Sequence, residues 1–186
     1  DNGCMLAKCI QWSIPKYKMI YDDTDIIKRL EIFYDKCNIH KTSYTEELYE
    51  KDFGKCIYDD YVINDLIGSG SIGQVYCITS KTDHKKYAMK IIHPDVHYEF
   101  FIFKLFFLLF YNIILYKYDL VSDINIFIND IENQLDYNIE SLNCKKMYNM
   151  YKDIKYINIP EVKYSTKNII IMSYLDMNSV DKIDEK

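Results

Sequence analysis

The run LIGSGSIGQVY sets three glycines at Gly68, Gly70 and Gly73, with Ser71 among them and Val75 just beyond. Glycines at this spacing let backbone N–H groups come close to a phosphate, because no Cβ stands between them. The pattern alone is shared by dinucleotide-binding turns, kinase loops and ordinary hairpin bends. A dinucleotide turn must run directly into a helix. Here the next residues read as strand, polar turn and strand: CITS, then KTDHK, then KYAMKII. That succession is the kinase hairpin, whose loop lies over the phosphates of the nucleotide.

The second strand of that hairpin ends in Ala88-Met89-Lys90. Strand side chains alternate, so Ala88 and Lys90 share a face. A small residue there leaves room for adenine, and the lysine two positions on reaches the α- and β-phosphates. Such a lysine needs a carboxylate partner on a nearby helix. The candidate is Glu140 in QLDYNIESLN, some fifty residues further on (position 140 against 90). An ordinary protein kinase supplies this partner much sooner, so the spacing argues against a conventional protein kinase.

Composition limits the remaining readings. A chain of 186 residues is about one domain. With 49% apolar and 16% aromatic residues it can bury a core. A net charge of −5 provides no basic field for nucleic acid, so none is expected as a partner. Cys4, Cys9, Cys37, Cys56, Cys77 and Cys144 form no C-x-x-C pair and read as reduced, mostly buried thiols of an intracellular protein. His93 and His97 stand four apart without a third ligand nearby, so no metal site is expected.

These residues need elements to position them. Residues 1–60 carry apolar residues at helical spacing, as in TDIIKRLEIFYDKC and TSYTEELYEKDFGKCI, and predict two or three helices. Thr42, Ser43 and Thr45 are candidate N-caps, with Glu46 and Glu47 in the first turn. Pro94 closes the lysine strand and opens a helix. Residues 98–118 are very apolar but interrupted by Lys104, Asn112 and Lys117. They predict a helix packed on protein between the lysine strand and the Glu140 helix. Membrane or lipid contact is the alternative. Residues 121–153 have a helical period through Val121, Ile124, Phe127, Ile128, Ile131 and Leu135. EVKYS and NIIIMSYL read as two further strands. No internal repeat is visible.

Together these motifs resemble the UbiB family of aarF-domain-containing atypical kinases. AKCIQW gives Lys8, Gln11 and Trp12 of a K-x-G-Q motif, with Ile10 in place of the glycine. GSGSIGQV is similar to the family's A-x-A-S-I-x-Q-V loop, with Gly70 in place of alanine. IIHPDV carries the H-P-x-V that follows the lysine strand, at His93, Pro94 and Val96. QLDYNIE resembles an E-x-D-x-x-x-E segment, keeping Asp136 and Glu140 but with Gln134 first. INIPEVKYSTKNIIIMSYLDM is similar to the strand pair leading into the interlobe hinge.

The resemblance implies an α+β kinase-like N-lobe, at 61–178, behind a helical extension at 1–60. A helical insertion falls at about 95–130, and 179–186 forms a hinge tail. It implies that Met172 backs the adenine and that Ser173 to Leu175, including Tyr174, form the hinge. ATP or ADP is the expected ligand, held by the 68–75 loop, Ala88, Lys90 and Glu140. Lys8 and Gln11, with Gln134 and Asp136, are the expected occluding set, and Lys8 is a rival partner for Glu140. The family is tied to coenzyme Q or isoprenoid-lipid metabolism in mitochondria, plastids and bacteria.

No histidine follows His97 and no glycine follows Gly73, so neither an H-x-D loop nor a D-F-G segment follows the lysine. Only Asp176, Asp181, Asp184 and Glu185 remain as late carboxylates. The expectation is therefore an N-lobe without its catalytic lobe, with no catalytic residue in this chain. Mg²⁺ is expected only together with that second lobe, which would come from further chain or from a partner. A non-catalytic pseudokinase remnant or a membrane-associated module is the alternative reading.

Overall fold

The computed structural model describes residues 3–20, 25–29, 39–110 and 121–176. Cys37, residues 111–118 of the apolar stretch and the 179–186 tail lie outside the described residues. So do the side chains of Val121 and Ile124.

The chain folds as an antiparallel five-stranded sheet with helices before, within and beside it. Helix α1 (Cys4–Ile20) opens the chain, and residues 25–29 are also helical. Helices α2 (Thr42–Phe53) and α3 (Ile57–Asp60) lead into strands β1 (Tyr61–Ser69), β2 (Gly73–Ser80) and β3 (Lys86–Ile92). Helices α4 (Val96–Phe110), α5 (Val121–Gln134) and α6 (Tyr137–Tyr151) follow. Strands β4 (Val162–Ser165) and β5 (Ile169–Ser173) close the described fold. The strand order is β1-β2-β3-β5-β4, and every neighbouring pair is antiparallel.

Register sorts the sheet residues onto two faces. Val75 lies opposite Lys90, which lies opposite Ile170; Cys77 lies opposite Ala88, which lies opposite Met172. Directly opposed residues share a face. This face carries Val75, Ala88, Lys90 and Met172, all half-buried, beside the buried Cys77 and Ile170. The other face carries Tyr76, Ile78, Met89, Ile91, Ile169 and Ile171, all buried. Leu48, Tyr49 and Ile57 from the extension join the same core.

Helix boundaries follow local chemistry, with several departures from expectation. Helix α2 starts after Lys41, which makes no side-chain cap, rather than at a Thr or Ser cap. Thr45 is fully buried and is hydrogen-bonded elsewhere. The helix ends at Gly54, whose φ of 73° is the left-handed conformation that glycine reaches without Cβ strain. The helical period at 121–153 breaks at Leu135–Asp136, because the Asp136 carboxylate accepts from Asn138 N at 2.9 Å and starts a new helix.

Helix α4 also departs from expectation. It packs against α1, with Val96 and Phe100 inward and Phe103 edge-on to Phe127 at 6.0 Å. Tyr98, Phe101, Leu105, Phe106, Leu108 and Leu109 are exposed, Leu108 and Leu109 at 63%. The described part of the apolar stretch is therefore not buried between the lysine strand and the Glu140 helix. One short stripe suffices to anchor it, and the rest of its apolar circumference faces outward. Among the five described cysteines only Cys77 is fully buried and Cys56 is exposed, so the mostly buried thiols expected do not occur there.

Candidate functional site

The glycine loop is the bend between β1 and β2. Ser69 pairs with Gln74, and Gly70 N donates to Gly73 O at 2.9 Å, so the bend is tight. The three glycines serve different ends. Nothing lies within 4 Å of a Cβ added at Gly68, and at Gly70 a Cβ would make only ordinary contact, at 3.6 Å. At Gly73 a Cβ would collide with the Ile91 carbonyl oxygen and the Tyr137 hydroxyl. Gly73 is thus required by packing, whereas Gly68 and Gly70 leave one side of the loop backbone open.

Beneath this loop, Lys90 Nζ donates to both oxygens of Glu140, at 2.7 and 3.0 Å. The two side chains are 30% and 36% exposed, so the pair borders solvent and is not sealed in the core. Lys90 comes from β3. Glu140 lies in the first turn of α6, where a carboxylate is favoured by the helix dipole. The ammonium also stands 4.8 Å from the centre of the Tyr137 ring, a cation–π distance. Burial pushes the Tyr137 phenol well above its usual range, and its oxygen is buried without a hydrogen-bond partner.

A cleft of about 250 Å³ joins these parts to the extension. It is lined by Lys8 and Gln11 of α1, by loop residues 70–73, by Lys90, and by Gln134 and Glu140. Ser71 Oγ donates to Gln11 Oε1 at 3.2 Å, so α1 is hydrogen-bonded to the loop it covers. Trp12 stacks on Phe127 at 4.5 Å and fastens α1 to α5. Glu140 is paired with Lys90, while Lys8 lines the same cleft.

Other expected residues fall outside the cleft. Asp136 caps α6. Val75, Ala88 and Met172 continue along the half-buried sheet face that carries Lys90. Tyr174 follows β5, and its backbone N donates to Lys86 O at 3.3 Å. Among the described residues no group of three or more His, Cys, Asp or Glu is placed to hold a metal ion.

A profile of the ABC1 atypical kinase-like domain matches residues 33–186. The chain belongs to this family. The UbiB likeness read from the motifs is the same assignment. A solved structure of the Mycobacterium tuberculosis protein Rv3197, in complex with erythromycin, shares the ABC1 chain's fold with a TM-score of 0.61 at 19% identity. The likeness covers 74% of this chain and 36% of that protein, so the chain spans about a third of that protein's length. No curated protein matches the sequence.

Within the ABC1 fold, sequence reasoning missed several groups around the loop. Tyr137 supports it from below. His93 Nε2 lies 2.9 Å from the Gly70 carbonyl oxygen and 3.3 Å from Ser69 Oγ. Gln74, fully buried, bonds to both backbone polar groups of His40. Gln74 and His93 sit inside motifs already noted, but each is also bonded to His40 of the extension, a partner that could not be read from spacing.

Proposed function

We propose that this chain is a nucleotide-binding N-lobe of a UbiB-type atypical kinase or ATPase, with ATP or ADP as ligand. The observation that carries this reading is the Lys90–Glu140 ion pair at 2.7 Å, held in a cleft under the glycine loop. The residues present suit a polyphosphate. Lys90 offers a cation at the cleft wall. At Gly68 nothing stands within 4 Å of the missing Cβ, so a ligand can approach the loop backbone there. Ala88, small and half-buried, extends the same sheet face toward Met172, where a purine would rest. The nucleotide supplies a transferable phosphoryl group, while this chain's residues bind and orient it. Helix α1, bonded to Ser71, restricts access and must loosen or make room for the phosphates. A place in coenzyme Q or isoprenoid-lipid metabolism is part of the proposal and rests on family likeness.

The test is calorimetric titration of the purified chain with ATP and with ADP, with and without Mg²⁺, against Lys90→Ala. Saturable binding that the substitution weakens at least tenfold supports the reading. Equal heats for both proteins would favour a non-catalytic remnant.

A second reading, membrane or lipid contact, is favoured by the exposed apolar side of α4 and by an apolar groove between α1 and α4. That groove is about 620 Å³, lined among others by Met5, Leu6, Ile102, Phe103 and Phe106. No helix among the described residues is long and apolar enough to cross a membrane.

A further inference from the structure

His93 and His40 lie far from each other in sequence, yet their Nδ1 atoms are 2.8 Å apart. The partners of each ring fix where its hydrogen sits. The Gly70 carbonyl can only accept, so His93 Nε2 carries a hydrogen and donates to it at 2.9 Å. A neutral His93 then has a lone pair on Nδ1. His40 Nδ1 must therefore carry the hydrogen between the rings, which leaves His40 Nε2 to accept from the Thr45 hydroxyl at 3.1 Å. With both rings neutral, every contact is satisfied once the Tyr76 hydroxyl donates to Thr45. One added proton is accommodated, because the Thr45 hydroxyl can turn to accept from His40 Nε2 and donate to Tyr76 Oη at 3.2 Å; a second proton sets two Nδ1–H groups against each other.

The surroundings hold this arrangement in place. His93 is 4% exposed, and Thr45 and Gln74 are fully buried. Gln74, the strand residue after Gly73, accepts from His40 N at 3.0 Å and donates to His40 O at 3.2 Å. His93 N donates to Ile72 O at 2.9 Å. The backbone and ring of His40 are thus both tied to the hairpin that bears the glycine loop.

We propose that His40 and His93 are positioning residues for the glycine loop: as two neutral rings sharing one hydrogen, they fasten the Gly70 carbonyl to the chain segment entering α2, and the fastening opens when both rings become charged. The proposal rests on the nucleotide reading for its consequence, since a fixed loop is one already shaped for phosphate. The neutral state is supported by burial, which lowers both rings, His40 to about 4 with the His93 ring adding to the effect.

The Gly70 bond and Glu99 of α4 favour charge on His93. Asp95, in the turn after β3, lines the adjoining cleft of about 370 Å³ together with Glu99 and both histidines. Tyr44 of α2, edge-on to His40 at 4.8 Å, is kept uncharged by a phenol pushed up to about 12, chiefly by burial. Tyr76 of β2 closes the far side through Thr45. The cleft gives water and protons a route to the pair.

Nitrogen-15 NMR of the nucleotide-free chain at neutral pH reads the tautomers directly. The expected result is a hydrogen on His93 Nε2 and on His40 Nδ1, with no charge on either; a charged ring or the reverse tautomers would overturn the proposal. Amide hydrogen exchange then compares the wild type with His40→Ala and with His40→Asn, whose amide nitrogen replaces the Nδ1 donor. Exchange over 68–75 should quicken roughly tenfold in His40→Ala, the equivalent of about one hydrogen bond, and return in His40→Asn. Strand 86–92 should stay protected in both. Unchanged loop exchange, or equal acceleration of the strand, refutes the proposal. ATP titration of the same proteins should show weaker binding in His40→Ala only. If ATP fails to bind the wild type, the nucleotide reading falls, and tautomers and exchange still decide the clasp.

Discussion

Lys90 and Glu140 meet at 2.7 Å across fifty residues of chain, with the ammonium shared between both carboxylate oxygens. Both side chains keep about a third of their exposure. A pair in that setting contributes on the order of 1 kcal/mol or less to stability. Its value lies in orienting the lysine. Lys90→Ala and Glu140→Gln should therefore leave the thermal midpoint within a few degrees of wild type, while each lowers ATP affinity about tenfold or more. Melting curves beside calorimetry separate the two effects. A large fall in melting temperature with unchanged affinity would make the pair structural.

The glycines of the loop should divide sharply on substitution. An alanine methyl at Gly73 collides with the Ile91 backbone, which cannot yield as a side-chain tip can. Gly73→Ala should cost about 1–3 kcal/mol, measured by urea unfolding. Gly70→Ala should fall within about 0.5 kcal/mol of wild type, because its Cβ meets only ordinary contact at 3.6 Å.

Removing the Tyr137 hydroxyl should do no harm. The oxygen is buried with no hydrogen-bond partner, so Tyr137→Phe relieves a desolvated group and keeps the ring under Lys90. Stability should be unchanged or rise by up to about 1 kcal/mol. A clear loss would mean that the hydroxyl has a partner, such as an ordered water.

Acid should weaken the fold through the histidine pair. His40 titrates near 4 when folded and near 6.5 when unfolded, so between those values only the unfolded chain holds the proton. Stability from this group is fully present above about 6.5 and is lost as pH falls toward 4. Because the ring is only half-buried, the loss is on the order of 1 kcal/mol. Denaturant midpoints at pH 7.5, 6 and 5 should decline in the wild type and decline less in His40→Asn.

Vesicle flotation tests the exposed side of α4. Phe101→Ser with Leu108→Ser removes two exposed side chains and should leave melting unchanged. If α4 contacts lipid, the same pair should abolish co-flotation with phosphatidylcholine–cardiolipin vesicles. Phe100→Ser, at a buried position, should instead unfold the chain.

The features legible in the sequence were those set by local period. Alternation along KYAMKII assigns Ala88 and Lys90 to one face whatever surrounds the strand. The turn-and-strand sequence after Gly73 excludes a dinucleotide turn for equally local reasons. Glu140 was legible as a candidate because it is the lone carboxylate of its helical run, Tyr137–Tyr151. Its pairing depended on how α6 packs beside β3. Tertiary structure alone decided that Gly73 must be bare, since the colliding atoms come from Ile91 and Tyr137. It alone joined His40 to His93, because two histidines 53 positions apart carry no periodic signal. It also turned the apolar side of α4 outward, because hydrophobic composition states how much surface seeks cover and only the packing of the other helices decides which stripe receives it.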